Sequence, residues 1–132
     1  MTLVDTNILL DLLKDDPDWS DWSVRQLKAA AARGPLRIND VVYAELSVGA
    51  ERIEQIDAFL AGITIDIMPS SRQSLFLAAK AFASYRARGG IKTGVLPDFF
   101  VGAQAAVECV PLLTRDAARY RTYFPVVELI AP

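Results

Sequence analysis

Leu3-Val4-Asp5-Thr6-Asn7-Ile8-Leu9-Leu10 decides the fold. Thr2–Val4 reads as a short apolar strand that ends on Asp5, and the run that follows at once predicts a helix over Thr6–Lys14. The same alternation continues outward along the chain. Asp15-Asp16-Pro17-Asp18 breaks the first helix, and Ser20 is placed to cap a second, Asp21–Arg33, which Gly34-Pro35 ends. Leu36–Asn39 reads as a strand, with Asp40 as the cap of a helix over Val41–Val48. Ala50–Ala61 is expected as a helix with Ile53, Ile56, Phe59 and Leu60 on one side, and Ile63–Met68 as a strand. Ser70 or Ser71 opens a long helix reaching Arg88, closed by Gly89-Gly90. Pro97 suits a first helical turn that Asp98–Glu108 continues. Pro111–Thr114 reads as a strand, Asp116–Tyr123 as a short helix and Val126–Ile130 as a last strand. Strand and helix units in alternation predict one α/β domain over residues 1–132, with a mainly parallel five-stranded sheet and helices on both faces. No repeat, linker or low-complexity segment interrupts it.

Composition narrows the setting. The chain has 132 residues, enough for one core, and 52% of them are hydrophobic. Mean hydropathy is +0.25, and some of that apolar surplus is expected between subunits. The single Cys109 cannot form an internal disulfide, and with no histidine the chain cannot build a Cys/His metal site. No signal peptide and no span long enough for a bilayer is visible, so the expected compartment is the cytoplasm. Net charge is only −2, but residues 1–66 carry 12 acids against 6 bases and residues 67–132 carry 4 against 8. This asymmetry would set a basic surface beside an acidic one, unless the charges merely solvate helices.

Four of the acids have a common address. In open parallel sheets ligands bind beyond the carboxyl ends of the strands, where the strand order reverses. Asp5 ends the first strand, Asp116 follows the strand Leu112–Thr114, Asp98 opens a helix, and Glu45 sits in the helix that leaves the second strand. Two like charges about 4 Å apart repel by roughly 4 kcal/mol at an effective dielectric near 20, and four multiply the problem. A hard divalent ion removes it, and all-oxygen ligands select Mg²⁺ or Mn²⁺. A ribonuclease that works through the 2′-hydroxyl commonly uses histidine, which this chain lacks. Metal-activated water is the alternative, with a carboxylate taking the proton.

Each residue alone also has an ordinary reading. Asp5 and Asp116 could be helix caps, Glu45 a solvated charge and Asp98 a partner of the helix dipole. Thr6 and Thr114 flank carboxylates and could orient them through their hydroxyls. Arg86, Arg88, Lys92 and Arg115 are candidates for phosphate contacts, against the alternative of solvated loops. Trp19 and Trp22 are expected to pack against helices rather than stack on bases.

As a set the segments resemble a known family. Leu3-Val4-Asp5-Thr6-Asn7-Ile8-Leu9-Leu10, Ala44-Glu45-Leu46, Leu96-Pro97-Asp98-Phe99-Phe100-Val101-Gly102-Ala103 and Leu112-Leu113-Thr114-Arg115-Asp116 are similar to the four acidic motifs of PIN domains. Their order and spacing match, and the size resembles the VapC toxins of type II toxin–antitoxin modules. The resemblance implies a five-stranded parallel sheet in an α/β/α sandwich. It implies Mg²⁺ or Mn²⁺ and hydrolysis of RNA phosphodiesters, often in tRNA or ribosomal RNA. Asp5 and Asp98 would be the principal metal ligands. Glu45 and Asp116 would complete the acidic site, holding metal through water or activating the nucleophile, with Thr6 and Thr114 supporting them. The resemblance also implies a homodimer and a small antitoxin that covers the site, often with a basic side chain reaching the carboxylates. One departure stands out: where many relatives carry a further acid, amide or histidine followed by an aromatic, this chain has Arg119 and Tyr120. Arg119 argues against a fifth ligand and a stable second metal.

Other readings fare less well. A haloacid-dehalogenase-type phosphatase needs a second acid two residues after its nucleophile, and Asn7 stands there. A response-regulator receiver needs an early acidic pair and a late strand-end lysine, and neither is present. A PIN-like module that binds RNA or protein without cutting is the alternative of a different class, and intact, mutually repelling carboxylates weigh against it.

Overall fold

Three buried residues, Thr2, Leu3 and Val4, form the first strand, β1 (Thr2–Val4). A strand apolar on both faces belongs in the middle of a covered sheet, and that is where the computed structural model, which describes residues 1–92 and 94–132, puts it. β1 is followed by α1 (Thr6–Leu13), α2 (Ser20–Arg33), β2 (Leu36–Ile38), α3 (Asp40–Ser47), α4 (Ile53–Gly62), β3 (Ile65–Ile67) and α5 (Arg72–Ala87). Then come α6 (Leu96–Glu108), β4 (Leu112–Leu113), α7 (Ala118–Tyr123) and β5 (Leu129–Ile130). The five strands are all parallel in the order β3-β2-β1-β4-β5, as expected of the α/β class. Leu3 pairs with Arg37 on one side and Leu112 on the other.

The chain steps from β1 outward to β3, then returns past β1 to β4. Right-handed crossovers therefore put α1–α4 on one face and α5–α7 on the other. Consistently, α1 packs on α2 and α3, while α6 packs on α5 and α7; α3 and α6 also meet. The direction of winding reverses between β1 and β4, so the crevice at their carboxyl ends is the natural ligand position. No helix among the described residues is long and apolar enough to cross a membrane.

The core joins Leu3, Val4, Ile8, Leu9, Ile38, Leu112 and Leu113, all without exposed surface, to a nearly enclosed α6. Phe99 of α6 is ringed by Phe82, Tyr85, Tyr123 and Phe124 at centroid distances of 5.2–6.1 Å. Gly102 makes this closeness possible: a Cβ there would lie 2.4 Å from the Phe124 ring and 3.0 Å from Tyr120. Trp19 and Trp22 pack edge to face on each other at 5.7 Å, and Trp22 packs against the core.

Several boundaries shift for local reasons. Asn39, not Asp40, caps α3, its side chain accepting from the Val42 N–H at 2.9 Å, while Asp40 accepts from the backbone and hydroxyl of Ser70. Ser20 does not cap α2; Asp16 instead accepts from the backbones of Asp18 and Trp19. α4 begins at Ile53 rather than Ala50, because the Gln55 side-chain oxygen folds back onto the Glu51 and Arg52 N–H groups. α7 begins at Ala118, so Asp116 is not its cap.

Candidate acidic site at the switch point

Asp5 stands where β1 runs out. Its N–H still donates to Leu113 O at 2.9 Å, extending the pairing with β4 by one residue. Its Oδ1 accepts from the Thr6 N–H at 2.8 Å and so caps α1. Its Oδ2 accepts from the hydroxyls of Thr114 and Tyr120, each at 2.8 Å, and from Asn7 Nδ2 at 3.5 Å. The side chain is 4% exposed. Burial pushes its pKa up in spite of these donors, and the charge of Asp116 adds to the rise. The helix-cap reading of Asp5 is therefore correct, and the same side chain faces the hydroxyls of Thr114 and Tyr120.

Glu45 projects from α3, half-buried, and its Oε1 accepts from the Thr6 hydroxyl at 2.7 Å. Its pKa is raised first by burial and then by the charge of Asp5. Asp98 lies in the first turn of α6, just after Pro97. Burial, then the charges of Asp5 and Glu45, push its pKa up to about 6 against the opposing pull of Arg119. These mutual influences bring Asp5, Glu45 and Asp98 into one electrostatic neighbourhood, although 40 and 53 residues of sequence separate successive members. Asp116 is exposed on the turn after β4, where its N–H donates to Thr114 Oγ1 at 3.1 Å and its charge is felt at Asp5. It forms the rim of the cluster.

Thr6 and Thr114 have the orienting contacts expected of them, one on Glu45 and one on Asp5. Arg115 does not serve as a free phosphate contact. Its Nε and Nη2 donate to Asp11 at 2.8 and 2.9 Å, and its guanidinium lies 5.0 Å over Trp19. A guanidinium held bidentately along one edge by a carboxylate 2% exposed is committed to structure. Arg86 and Arg88 remain exposed, lying over the rings of Phe82 and Tyr123, and Lys92 is exposed as well.

Three supporting residues were not singled out as such by sequence reasoning. Asn7 accepts from the Arg115 N–H and donates to Thr114 Oγ1, bridging the two motifs. Arg119 stood out only as a departure and Tyr120 only as the aromatic that follows it; they hold Asp98 and Asp5 respectively. The Asp-Thr-Asn triplet was the available signal for Asn7. Nothing local announces that Tyr120 reaches a residue 115 positions away.

The donor set fits a hard divalent ion in kind: carboxylates crowded together, each held partly against ionisation by burial and by its neighbours. In position the set is not yet assembled, for among the described residues no group of three acidic or cysteine side chains converges to hold a metal. Asp98 is instead paired with Arg119.

The family model of the PIN domain matches residues 2–125. Solved structures share the fold over nearly the whole chain. The VapBC2 complex of Rickettsia felis bound to a promoter DNA fragment matches with a TM-score of 0.76 at 20% identity, over 99% of this chain and 98% of that one. VapBC-1 of nontypeable Haemophilus influenzae matches with a TM-score of 0.72 at 18% identity, over 98% and 96%. A toxin–antitoxin complex from Klebsiella pneumoniae matches at 26% identity with a TM-score of 0.61, over 96% and 95%. No curated protein sequence is significantly similar to the chain. With the motif order, the parallel sheet and the family model in agreement, the chain belongs to the PIN-domain family.

Proposed function

We propose that this protein is a Mg²⁺- or Mn²⁺-dependent endoribonuclease that hydrolyses RNA phosphodiester bonds, and that it acts as the toxin of a toxin–antitoxin pair. The observation that carries the reading is the crowding of Asp5, Glu45 and Asp98 at the carboxyl ends of β1 and β4, where Thr6 bridges Asp5 and Glu45 and the charges of Asp5 and Glu45 raise the proton affinity of Asp98. Asp5, Asp98 and the rim residue Asp116 would hold the ion, and Glu45 is free on one oxygen to take a proton. When bound, the ion supplies an acidified water and positive charge toward the phosphodiester oxygens. Thr6, Thr114 and Tyr120 keep Glu45 and Asp5 in register by donating to their oxygens, which leaves them little rotational freedom. Arg86, Arg88 and Lys92 offer exposed positive charge to the flanking phosphates. The toxin role and the small antitoxin partner draw on the likeness to solved toxin–antitoxin complexes, and the homodimeric state and cytoplasmic setting are part of the same proposal.

Incubating the purified protein with total RNA tests the reading. Cleavage at defined sites is expected with Mn²⁺ or Mg²⁺, abolished by chelator and reduced by at least about 10²-fold in Asp98→Asn. Binding of RNA without any metal-dependent cut would support the non-cutting alternative and sink the nuclease.

A further inference from the structure

Arg119 is the one cation among the described residues whose ion pair is with an acid of the site. Its Nη1 contacts Asp98 Oδ2, and the two side chains are only 21% and 30% exposed, so water and salt screen them weakly. Next to it on α7, Tyr120 is 1% exposed and anchored through its hydroxyl to Asp5. The helix is therefore pinned by one residue while its neighbour reaches across to Asp98. A guanidinium and a divalent ion on one carboxylate repel, so each weakens the carboxylate's hold on the other.

Resting on the metal-ion reading above, we propose that Arg119 is an internal counter-ion that keeps the acidic cluster in a metal-free resting state, and that loading the site requires Arg119 to release Asp98. The arrangement explains why the acids share a neighbourhood without converging as ligands. Release needs only rotation of a long side chain, because Tyr120 fixes α7 independently. Arg119 is a positioning residue in this scheme; it tunes how readily the carboxylates accept an ion.

Two measurements without substrate test this. Titration calorimetry with Mn²⁺ should show R119Q binding the ion about tenfold or more tighter than wild type, since a competing positive charge has been removed. In the wild-type protein, saturating Mn²⁺ should increase labelling of Arg119 by phenylglyoxal several-fold, measured by mass spectrometry. Arg115, locked on Asp11, serves as the unchanging reference. Should R119Q fail to fold in chelator, the labelling of wild type alone decides the matter. Equal Mn²⁺ affinities, or unchanged Arg119 labelling at saturation, would overturn the counter-ion role while leaving the metal site standing. If neither protein binds Mn²⁺, the metal-dependent reading itself fails and takes this one with it.

Discussion

A carboxyl in the first turn of a helix is ordinarily stabilised in its charged form, yet Asp98 is held up to about 6. Burial comes first among the causes, the charge of Asp5 second, and Arg119 offsets them only in part. The folded value lies above the ordinary one, so Asp98 contributes most below about pH 4. That contribution is lost as pH rises through about 6, because the unfolded chain ionises first. We expect metal-free protein to lose about 2 kcal/mol from this residue across that window, after allowing for its partial exposure. Asp98→Asn should flatten the slope and be the more stable protein near neutrality. Denaturant titrations in chelator at several pH values measure the difference, and a parallel pH dependence in both proteins would contradict the assignment. Asp5→Asn is the less clean probe, because a single amide oxygen cannot accept everything that Asp5 now accepts. At this scale the acids were legible in the sequence through their motifs. The commitment of Arg115 to Asp11 was not, since neither residue type reveals its partner.

Between elements, the Asp11–Arg115 pair ties α1 to the turn that follows β4, and Ser23 of α2 adds a hydroxyl bond of 2.6 Å to the same carboxylate. Arg115→Ala would strand a buried charge with one remaining donor. Destabilisation of about 3–5 kcal/mol is expected, visible in chemical denaturation without any ligand. Replacing both residues with apolar ones of similar size (Asp11→Leu with Arg115→Met) should recover most of that loss. A loss under about 0.5 kcal/mol in Arg115→Ala would mean that the tie is idle and would return Arg115 to the list of phosphate contacts. Helices and strands themselves were readable from periodicity and breakers. Their ends were not, because the caps of α3 and α4 come from Asn39 and Gln55, chosen by which side chain reaches the open N–H groups.

For the molecule as a whole, strand order is what makes a site out of scattered acids. With β1 central, Asp5 borders β4 directly, and the packing of α3 on α6 draws Glu45 toward Asp98. If that site cuts RNA in cells, induced expression should arrest growth within a few doublings, and co-expression of the cognate small partner protein should relieve it. Asp98→Asn should be harmless at equal protein level. Normal growth with abundant folded wild-type protein would count against the toxin role while leaving the nuclease open to the assay on total RNA.

From the sequence alone came the α/β class, the parallel sheet, the four acidic motifs and the departure at Arg119. The class and the sheet follow from apolar periodicity and breakers, the motifs and the departure from the resemblance to PIN domains. Only the tertiary structure decided that Asp116 sits at the rim, that Arg115 is spent on Asp11, that Tyr120 holds Asp5 and that Arg119 holds Asp98. Each of these is a contact between side chains 21 to 115 positions apart, or the exposure that such contacts leave. Which of several chemically suitable partners a charged or hydroxyl group meets depends on how the layers pack, and spacing along the chain does not encode that.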